Sequence, residues 1–328
     1  MRKTLSIIVV IPTILILSLT FPSVAADYPT KTITMINPNA PGGQFDVIGR
    51  AFASTAERLI GKPVIVVNKP GAGNLIGGLA GAQAAPDGYT LTMVATGLTN
   101  GIEWETANGR KPPVTRHDFT AMGTLVLNFP LVLVPYDSPW KTLTDMINDC
   151  KAKPSYYAFS SGGLYGGSHM PAEVLMKAAG IKARHVPYQG GGPSLIALVG
   201  KHVDFATNFL PACISLIKGN KLRALAVQTD TRLKVLPDVP TVKELGIDAE
   251  YSNWIGMAIP KKTPKDIMEK VGEMMVRVTK DKSFIDTVET TGDDVTFMDG
   301  EKLTKMWDIE AERIAKLMVE LLKEASKK

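Results

Sequence analysis

The segment Leu131-Val132-Leu133-Val134-Pro135 is an apolar run that ends in proline, and Trp254-Ile255-Gly256-Met257-Ala258-Ile259-Pro260 repeats that pattern late in the chain. Each has the length and apolar content of a buried strand. A buried strand that stops at a proline is the pattern we expect where a chain crosses between two lobes. The two crossings predict one discontinuous lobe, residues 27–128 plus 253–328, and a second lobe, residues 129–252. Both crossings would lie beneath one cleft, where they could act as a hinge.

Around these segments, short runs rich in valine and isoleucine alternate with stretches of helical period. The predicted strands are Thr32–Ile36, Val64–Val67, Thr90–Ala95, Ala183–Val186, Val203–Thr207 and Leu222–Val227. The predicted helices include Phe45–Ile60, Ser168–Ala179, Pro193–Val199 and Ala212–Lys218. Such alternation builds parallel sheets covered by helices, so the sequence predicts an α/β fold with two lobes and a cleft between them. Asp299–Lys323 is a further amphipathic helix, which we expect to pack on the first lobe.

The N-terminus has the features of a secretory signal peptide. A basic head, Arg2-Lys3, precedes an apolar stretch at residues 4–21, and small residues come just before the first polar segment. This order predicts export and removal of residues 1–26, with cleavage after Ala25 or Ala26. An uncleaved membrane anchor is the alternative, because about 18 to 20 apolar residues can span a bilayer. We expect the mature protein to be soluble.

Composition limits the classes of function. The chain is 45% hydrophobic and carries a formal net charge of +5. Removal of Arg2 and Lys3 with the signal peptide would leave +3, which is too mild for a nucleic-acid-binding surface and compatible with an anionic ligand. About 300 residues would remain after export, enough for one large or two medium domains. Cys150 and Cys213 are the only cysteines. Export permits a disulfide, but two cysteines in predicted helices favour two buried thiols.

Three glycine-rich turns follow strands and precede helices. They span Asn37–Asp46, Asn68–Asn74 and Ser160–His169. Glycine lets backbone amides approach a ligand closely, and a helix that begins after such a turn adds unpaired N–H groups and a positive dipole end. Ligands of open α/β proteins usually lie at these strand ends. The three turns therefore predict a carboxylate site, although ordinary helix capping by Asp46 or Ser168 would explain any single one.

Other chemistries are poorly supported. The second turn continues as Gly71-Ala72-Gly73-Asn74-Leu75-Ile76-Gly77, which differs from a dinucleotide fingerprint in the position of its last glycine. The next predicted strand, Thr90–Ala95, ends without the acidic residue that would hold a ribose. The four histidines lack metal-ligand spacing, and no Gly-x-Ser-x-Gly elbow occurs. The sequence therefore predicts no cofactor, no metal and no catalytic residue.

A series of motifs runs almost from end to end of the predicted mature chain. They include Ala40-Pro41-Gly42-Gly43 with Asp46 and Arg50, Ala85-Pro86-Asp87-Gly88-Tyr89, Val186-Pro187-Tyr188-Gln189-Gly190 and Leu236-Pro237-Asp238-Val239-Pro240-Thr241. In order and spacing these motifs resemble the solute-binding proteins of tripartite tricarboxylate transporters, the Bug or TctC family. The resemblance implies a periplasmic receptor with a type II-like, two-lobed fold and a hinge. It would bind a di- or tricarboxylate or an aromatic acid and deliver it to membrane permease subunits, as a monomer.

The resemblance also implies which residues contact the ligand, because the first and third turns of such receptors hold a carboxylate through backbone amides and hydroxyl groups. The expected contacts in the first lobe are Gly42, Gly43, Gln44, Asp46, Thr96 and Thr99. Those in the second lobe are Ser160, Ser161, Tyr165, Ser168 and Asn208. Tyr165 would offer a flat surface to an aromatic ligand. Asp46 has a second interpretation, as a charge at the N-terminus of its own helix.

Some positions depart from the family pattern. Asn74 and Leu75 are expected to face away from the site, and Asn208 stands where many relatives carry aspartate. Trp104 and Glu105 belong to a variable insert, Asn100–Arg116, whose place in the fold the sequence does not predict. Two alternative functions are an exported enzyme that acts on a small carboxylic acid and a protein that presents its ligand to a membrane sensor. The identity of the carboxylate is not predicted.

Overall fold

The computed structural model describes residues 28–325, except residues 40, 43, 164–166, 189 and 292. The predicted signal peptide lies outside the described residues. Across the part that is described, the chain forms ten strands and ten α-helices. None of the helices in this part is both long enough and apolar enough to cross a membrane.

The first sheet combines strands from both ends of the chain. They are β1 (Ile33–Asn37), β2 (Val64–Asn68), β3 (Thr90–Ala95), β4 (Phe119–Asn128) and β10 (Asn253–Pro260). Their spatial order is β2-β1-β3-β10-β4. Strands β1 to β3 run parallel, whereas β10 is antiparallel to both of its neighbours. The late strand β10 is thus inserted between two strands that are formed early in the chain.

The second sheet is built from the middle of the chain. Its strands are β5 (Pro130–Pro135), β6 (Ala158–Ser161), β7 (Arg184–Pro187), β8 (Phe205–Phe209) and β9 (Leu222–Val227). Their spatial order is β7-β6-β8-β5-β9. Strands β6, β7 and β8 run parallel, and β5 is antiparallel to β8 and β9. The fold is therefore α/β with two lobes, one around each sheet.

The chain changes sheets at the two proline-ended segments. Phe129 is the single residue between β4 and β5, so the first crossing is made in one step. The return follows β9 and ends where β10 begins at Asn253. The lobe limits at 128/129 and 252/253 stay predictions, because a change of sheet does not by itself set the limits of an independently packed unit.

Helices cover both faces of each sheet, as the buried parallel strands require. They are α1 (Gln44–Ile60), α2 (Leu75–Ala82), α3 (Thr96–Ala107), α4 (Leu143–Ala152), α5 (Met170–Ala179), α6 (Gly191–Val199), α7 (Leu210–Lys218), α8 (Lys265–Thr279), α9 (Lys282–Thr290) and α10 (Gly300–Ala325). Phe52 and Phe284 belong to a core on one face of the first sheet, and Trp254 belongs to a core on the other. Cys150 and Cys213 lie in different cores of the second lobe and are free thiols, which confirms the preference for two buried thiols.

The last helix, α10, joins the two lobes. Leu303 and Trp307, in its first half, pack in a core of the first lobe. Ile314, Leu317 and Met318, in its second half, pack in a core of the second lobe. The expectation that this helix packs on the first lobe is therefore confirmed for its first half, and its second half packs on the second lobe instead. Its apolar face is long enough to cover parts of both lobes, and periodicity in the sequence does not tell which surface each turn will meet.

Candidate functional site

A cavity of about 640 Å³ opens between the ends of the two sheets. The first lobe supplies most of its wall, from the turns after β1 and β2 and from one face of α3. The second lobe adds the turn after β6 and the end of β8. The described lining residues are Asn39, Gln44, Phe45, Ala72, Gly73, Asn74, Leu75, Gly97, Asn100, Gly101, Trp104, Glu105, Gly167, Phe209 and Asn253. Carboxyl ends of parallel strands surround the cavity, which is the usual position of a ligand in an open α/β fold.

Three helices of the first lobe begin at this cavity. Gln44 and Leu75 are the first residues of α1 and α2, Gly97 is the second residue of α3, and all three line the cavity. The residues that precede α2 and α3, Asn74 and Ala95, make no side-chain capping bond within the described chain. The Leu75 N–H donates to the Ala72 carbonyl oxygen in the short turn before α2, and first-turn N–H groups that have no such partner need another acceptor. The aligned helix dipoles make an anion a favourable acceptor at this place.

Two glycines on α3 allow the second glycine-rich turn to lie against this helix. A Cβ atom at Gly101 would lie 2.6 Å from the carbonyl oxygen of Gly73, and one at Gly97 would lie 2.3 Å from Asn74 Oδ1. At Gly101 backbone therefore packs directly against backbone, and at Gly97 the helix packs against the Asn74 side chain. The same packing brings Asn74 and Leu75 to the cavity. The Leu75 side chain nevertheless packs in a core of the first lobe and Asn74 Nδ2 donates to the Pro38 carbonyl oxygen, so the expectation that these two residues face elsewhere stays a prediction.

Asp46 organises the first turn from inside. Its carboxylate accepts hydrogen bonds from the Gly42 backbone N–H (3.0 Å), from Arg50 Nε (2.8 Å) and from Asn68 Nδ2 (2.9 Å), and the residue is buried. The pKa of the Asp46 carboxyl lies well below its usual range. The main cause is the hydrogen bond from Arg50, and those from Gly42 and Asn68 add to it. Both oxygens are occupied and Asp46 does not line the cavity. The interpretation as a structural charge at its helix N-terminus fits this geometry best.

The other predicted contacts of the first turn have mixed positions. Gln44 lines the cavity, and its side-chain amide donates to the buried carboxylate of Asp293. Asp293 also accepts from Asn128 Nδ2 and from Thr291 Oγ1. The motifs did not single out Asp293, because it lies in a loop far along the chain. Gly43 lies outside the described residues.

Thr96 and Thr99 are buried on the far side of α3 from the cavity. Thr99 Oγ1 accepts a hydrogen bond from Trp307 Nε1 (2.9 Å) and donates to Glu310 Oε2 (3.4 Å). Thr96 Oγ1 accepts from the Trp254 backbone N–H at 3.4 Å. Both hydroxyl groups therefore connect α3 to α10 and β10, and in this arrangement neither lines the cavity. Their role as ligand contacts stays a prediction.

A second cavity, of about 230 Å³, lies where the chain crosses between the sheets. Phe129, Tyr251 and Ser252 line it from the crossing segments, and Glu310 and Arg313 line it from α10. Burial raises the pKa of the Glu310 carboxyl to about 7. Trp254 Nε1 donates to Glu310 Oε2 at 2.9 Å, while Oε1 is a buried oxygen without a hydrogen-bond partner in the described chain.

The predicted serines of the second lobe lie at the end of β6, inside the protein. Ser160 Oγ accepts a hydrogen bond from Ser194 Oγ at 2.8 Å and donates to the Ser194 carbonyl oxygen at 3.1 Å. Ser161 Oγ lies 2.7 Å from His185 Nε2. Burial lowers the pKa of His185 to about 4, with a smaller contribution from the neighbouring His169. This ring is therefore neutral near pH 7. Neither serine lines the cavity.

Ser168 and Asn208 hold the backbone next to Gly167 and Phe209, the described second-lobe residues that line the cavity. Ser168 Oγ accepts from the Gly162 backbone N–H (2.8 Å) and so closes the turn that carries Gly167. Asn208 Oδ1 accepts from the Phe209 backbone N–H (2.9 Å), while its Nδ2 donates to the Gly191 carbonyl oxygen (3.3 Å). Both side chains are buried. Tyr165 lies outside the described residues.

The cavity also contains residues that the motifs did not predict as contacts. Among the described lining residues, Phe45, Trp104 and Phe209 are aromatic, and Asn100 and Asn253 carry side-chain amides. Trp104 comes from the insert and also packs against a core of the second lobe, which gives that insert a defined place between the lobes. Phe209 directly follows a predicted residue. Its position in the cavity could have been predicted, because ligands of open α/β proteins lie at the carboxyl ends of parallel strands.

Two α/β lobes, two crossing strands and a cavity between the lobes together are the architecture of a solute-binding protein. A family model described as the tripartite tricarboxylate transporter family receptor matches residues 48–322. The chain therefore belongs to the receptor family of tripartite tricarboxylate transporters. Because this family and the similar structures are substrate-binding proteins, the chain is a binding protein and not an enzyme.

Individual relatives agree with this assignment. The chain is 32% identical over 272 residues to protein BugT of Bordetella pertussis. This alignment covers 82% of the chain and 83% of BugT. It is similar in structure to a TctC solute-binding protein from Polaromonas, with a TM-score of 0.81 and 28% identity over 89% of this chain and 99% of the other. The chain also shares its fold with the protein MatC of Rhodopseudomonas palustris, whose structure holds malate. The TM-score is 0.70 at 24% identity, and the comparison covers 89% of this chain and 100% of MatC.

Proposed function

We propose that the protein is a periplasmic receptor that captures a small carboxylate in the cavity between its lobes and delivers it to the membrane subunits of a tripartite transporter. One observation carries this proposal: three helices of the first lobe begin at the same cavity, and two of them lack a side-chain cap. The first-turn N–H groups of a helix that have no partner in the chain are donors that need an acceptor, although the Leu75 N–H already donates to the Ala72 carbonyl oxygen. A carboxylate supplies acceptor oxygens and the negative charge that the helix dipoles favour.

The side chains around these helix starts suit the same ligand. Asn253 lines the cavity with a side-chain amide, which can donate to a carboxylate oxygen without bringing a second full charge. Capture by backbone and amide donors leaves the carboxylate chemically unchanged. That is what a receptor needs, because it must release the ligand intact to its transporter.

Closure of the lobes would complete the capture. We place the first lobe at residues 27–128 plus 253–328 and the second at residues 129–252, with the hinge at the crossings beside Phe129 and Asn253. Gly167 and Phe209 bring the second lobe to the cavity. A ligand that contacts both lobes binds the closed state better than the open state and shifts the population toward it. We also propose export to the periplasm by removal of residues 1–26, and action as a monomer.

Thermal unfolding of the mature protein with a panel of carboxylates tests the proposal. We expect at least one of malate, adipate, citrate, benzoate and 2-naphthoate to raise the midpoint temperature, because a ligand that binds only the folded state stabilises it by RT ln(1 + [L]/Kd). The primary amide of the same compound is the matched control and should give no shift. A panel in which no carboxylate gives a shift, or in which acid and amide give equal shifts, contradicts the proposal.

A further inference from the structure

The two cavities lie on opposite sides of the segments that join the lobes. Ser252 lines the second cavity, and its neighbour Asn253, the first residue of β10, lines the first. Neighbouring side chains of an extended chain point to opposite sides. Helix α3 is divided in the same way, because Thr99 contacts Glu310 while Gly101 lines the first cavity. Lobes that turn about the crossings therefore widen one cavity as they narrow the other.

Helix α10 concentrates such a movement in one short segment. Trp307 packs in a core of the first lobe, and Ile314 packs in a core of the second. Buried side chains hold both halves of the helix, so a change in the angle between the lobes has to be taken up between them, at residues 308–313. Glu310 and Arg313 belong to this segment, and both line the second cavity.

Glu310 and Arg313 attach that segment to one lobe each. Glu310 Oε2 accepts hydrogen bonds from Trp254 Nε1 in β10 (2.9 Å) and from Thr99 Oγ1 in α3 (3.4 Å). Arg313 Nη1 donates to the Glu250 carbonyl oxygen, which lies between β9 and β10 in the proposed second lobe. The two side chains are three positions apart and so lie on one face of the helix. Together they set the position of α10 against both lobes.

The surroundings of Glu310 favour its neutral form in this arrangement. Burial raises the pKa of Glu310 to about 7, and the hydrogen bonds from Trp254 and Thr99 and the charge of Arg313 oppose that rise. Among the described lining residues of the second cavity, Arg313 is the one base. The titratable groups on the other elements packed here are Tyr251 and Glu250 before β10, Asp230 after β9, and Glu103 on α3.

The acidic neighbours of Glu310 have positive charges of their own nearby. Lys243 forms ion pairs with Glu250 (3.5 Å) and with Asp230 (3.9 Å). Burial raises the pKa of Glu103, and the charge of Arg116 opposes that rise. The carboxylate form of Glu310 therefore meets more acidic than basic groups inside the protein. It gains from contact with water, which a wider second cavity would admit.

From these contacts we infer that Glu310 is a positioning residue for lobe closure, and that it releases its proton to water as the second cavity widens and the ligand cavity narrows. Neutral Glu310 stabilises the described arrangement of the lobes. Charged Glu310 stabilises an arrangement with a narrower ligand cavity, although it does not line that cavity. The inference rests on the closure of the lobes proposed above and goes beyond it, because it names the residue and the proton that control this closure.

The width of the ligand cavity, measured without ligand at several pH values, tests the inference. A donor and an acceptor dye are attached to Ile76→Cys in α2 and Ala212→Cys in α7, exposed positions close to the lining residues Leu75 and Phe209. Energy transfer in single molecules then gives the distance across the cavity. We expect the ratio of short to long distances to rise at least about threefold from pH 6 to pH 8, within the limit of about tenfold per pH unit that one proton allows.

Variants of α10 assign this change to one carboxyl group. Glu310→Gln should remove the dependence on pH, and Glu310→Asp, which keeps a carboxyl group, should retain part of it. Glu312→Gln is the matched control at an exposed position of the same helix and should behave as wild type. Dyes at Ser54→Cys and Ile76→Cys, both in the first lobe, should report a constant distance. The thermal midpoint of each variant shows that it is folded.

The outcomes separate this inference from carboxylate capture, because no ligand enters the experiment. A distance across the cavity that is the same at both pH values in the wild type, or that grows as the pH rises, overturns the inference. A change that persists in Glu310→Gln also overturns it and assigns the titration to another group, such as Glu103. In each of these cases carboxylate capture is still decided by thermal unfolding with the panel of acids.

Discussion

At the scale of single residues, several polar side chains of the cavity turns bind backbone of their own turn and do not line the cavity. Asp46, Ser168 and Asn208 are polar residues in or next to turns that reach the cavity, and each points inward to hold a backbone N–H of its own turn. A short buried polar side chain finds its nearest partner in the local backbone, because an unsatisfied group would cost free energy. Such residues shape the cavity without touching it.

Asp46→Asn tests this structural role. The substitution removes the charge that binds Arg50 and the acceptor for the Gly42 N–H, so we expect the free energy of unfolding at pH 7 to fall by about 2 kcal/mol. The folded-state pKa of Asp46 is lowered, and its stabilisation is therefore present above the unfolded pKa of about 3.9 and lost as the pH falls below it. The difference between wild type and variant should shrink in denaturant titrations at pH 3.

Asp248→Asn is the matched control for this measurement, since Asp248 is exposed. It should change the free energy of unfolding by no more than about 0.5 kcal/mol. Equal stability of Asp46→Asn and wild type at pH 7 would show that the buried carboxylate does not organise the turn.

At the scale of elements, helix α3 separates two environments. Its glycine face meets the second turn and the cavity, and its threonine face meets α10 through Thr99 and Glu310. Adjacent residues of a helix are rotated by about 100° from each other, so Thr99 and Gly101, two positions apart, reach nearly opposite sides. The cavity wall therefore depends on how α3 is turned, and only its packing against α10 and the second turn decides that.

Gly101→Ala tests this packing. Alanine would normally stabilise a helix interior by about 1 kcal/mol relative to glycine, but a Cβ atom here would lie 2.6 Å from the Gly73 carbonyl oxygen. We expect a net loss of about 1 to 3 kcal/mol, together with weaker carboxylate binding, because the turn must move. Gly272→Ala in α8 is the control: its Cβ would meet Met122 at an ordinary 3.9 Å. It should be neutral or stabilising, and the same gain in both variants would contradict the close contact.

At the scale of the whole molecule, α10 and the crossing strands hold the two lobes together. Glu310 lies at this junction, where Trp254, Thr99, Tyr251 and Arg313 surround its carboxyl group. Burial raises the pKa of Glu310 to about 7, and the hydrogen bonds from Trp254 and Thr99 and the charge of Arg313 oppose that rise. A carboxyl with a raised pKa makes the junction sensitive to pH.

Glu310→Gln tests that sensitivity. Between the unfolded pKa, about 4.3, and the folded pKa, about 7, the folded protein binds more protons than the unfolded chain. The contribution of Glu310 to stability is therefore complete below the unfolded pKa and is lost as the pH rises through the folded one. We expect the fall in the free energy of unfolding between pH 5 and pH 8 to be smaller in Glu310→Gln than in wild type. Glu312→Gln, at an exposed position of the same helix, should keep the wild-type dependence.

The sequence by itself determined the α/β fold class, most strand positions, the two crossings and the turns that reach the cavity. These features follow from short-range patterns: runs of valine and isoleucine, prolines at strand ends, and glycines between a strand and a helix. Phe129, between two adjacent apolar strands, marks the first crossing in the sequence and in the structure. The ends of elements could be predicted because the residues that cause them are neighbours in the chain.

Only the tertiary structure decided which side chains face the ligand space. Trp104 and Glu105 reach the cavity because α3 lies between the lobes, while Thr96 and Thr99 turn toward α10. The same packing divides α10 between two cores. The direction of a side chain from a helix depends on the rotation of that helix against partners that lie far away in sequence. Contacts of that range leave no local pattern, so composition and spacing predicted the turns that reach the cavity but not the residues that line it.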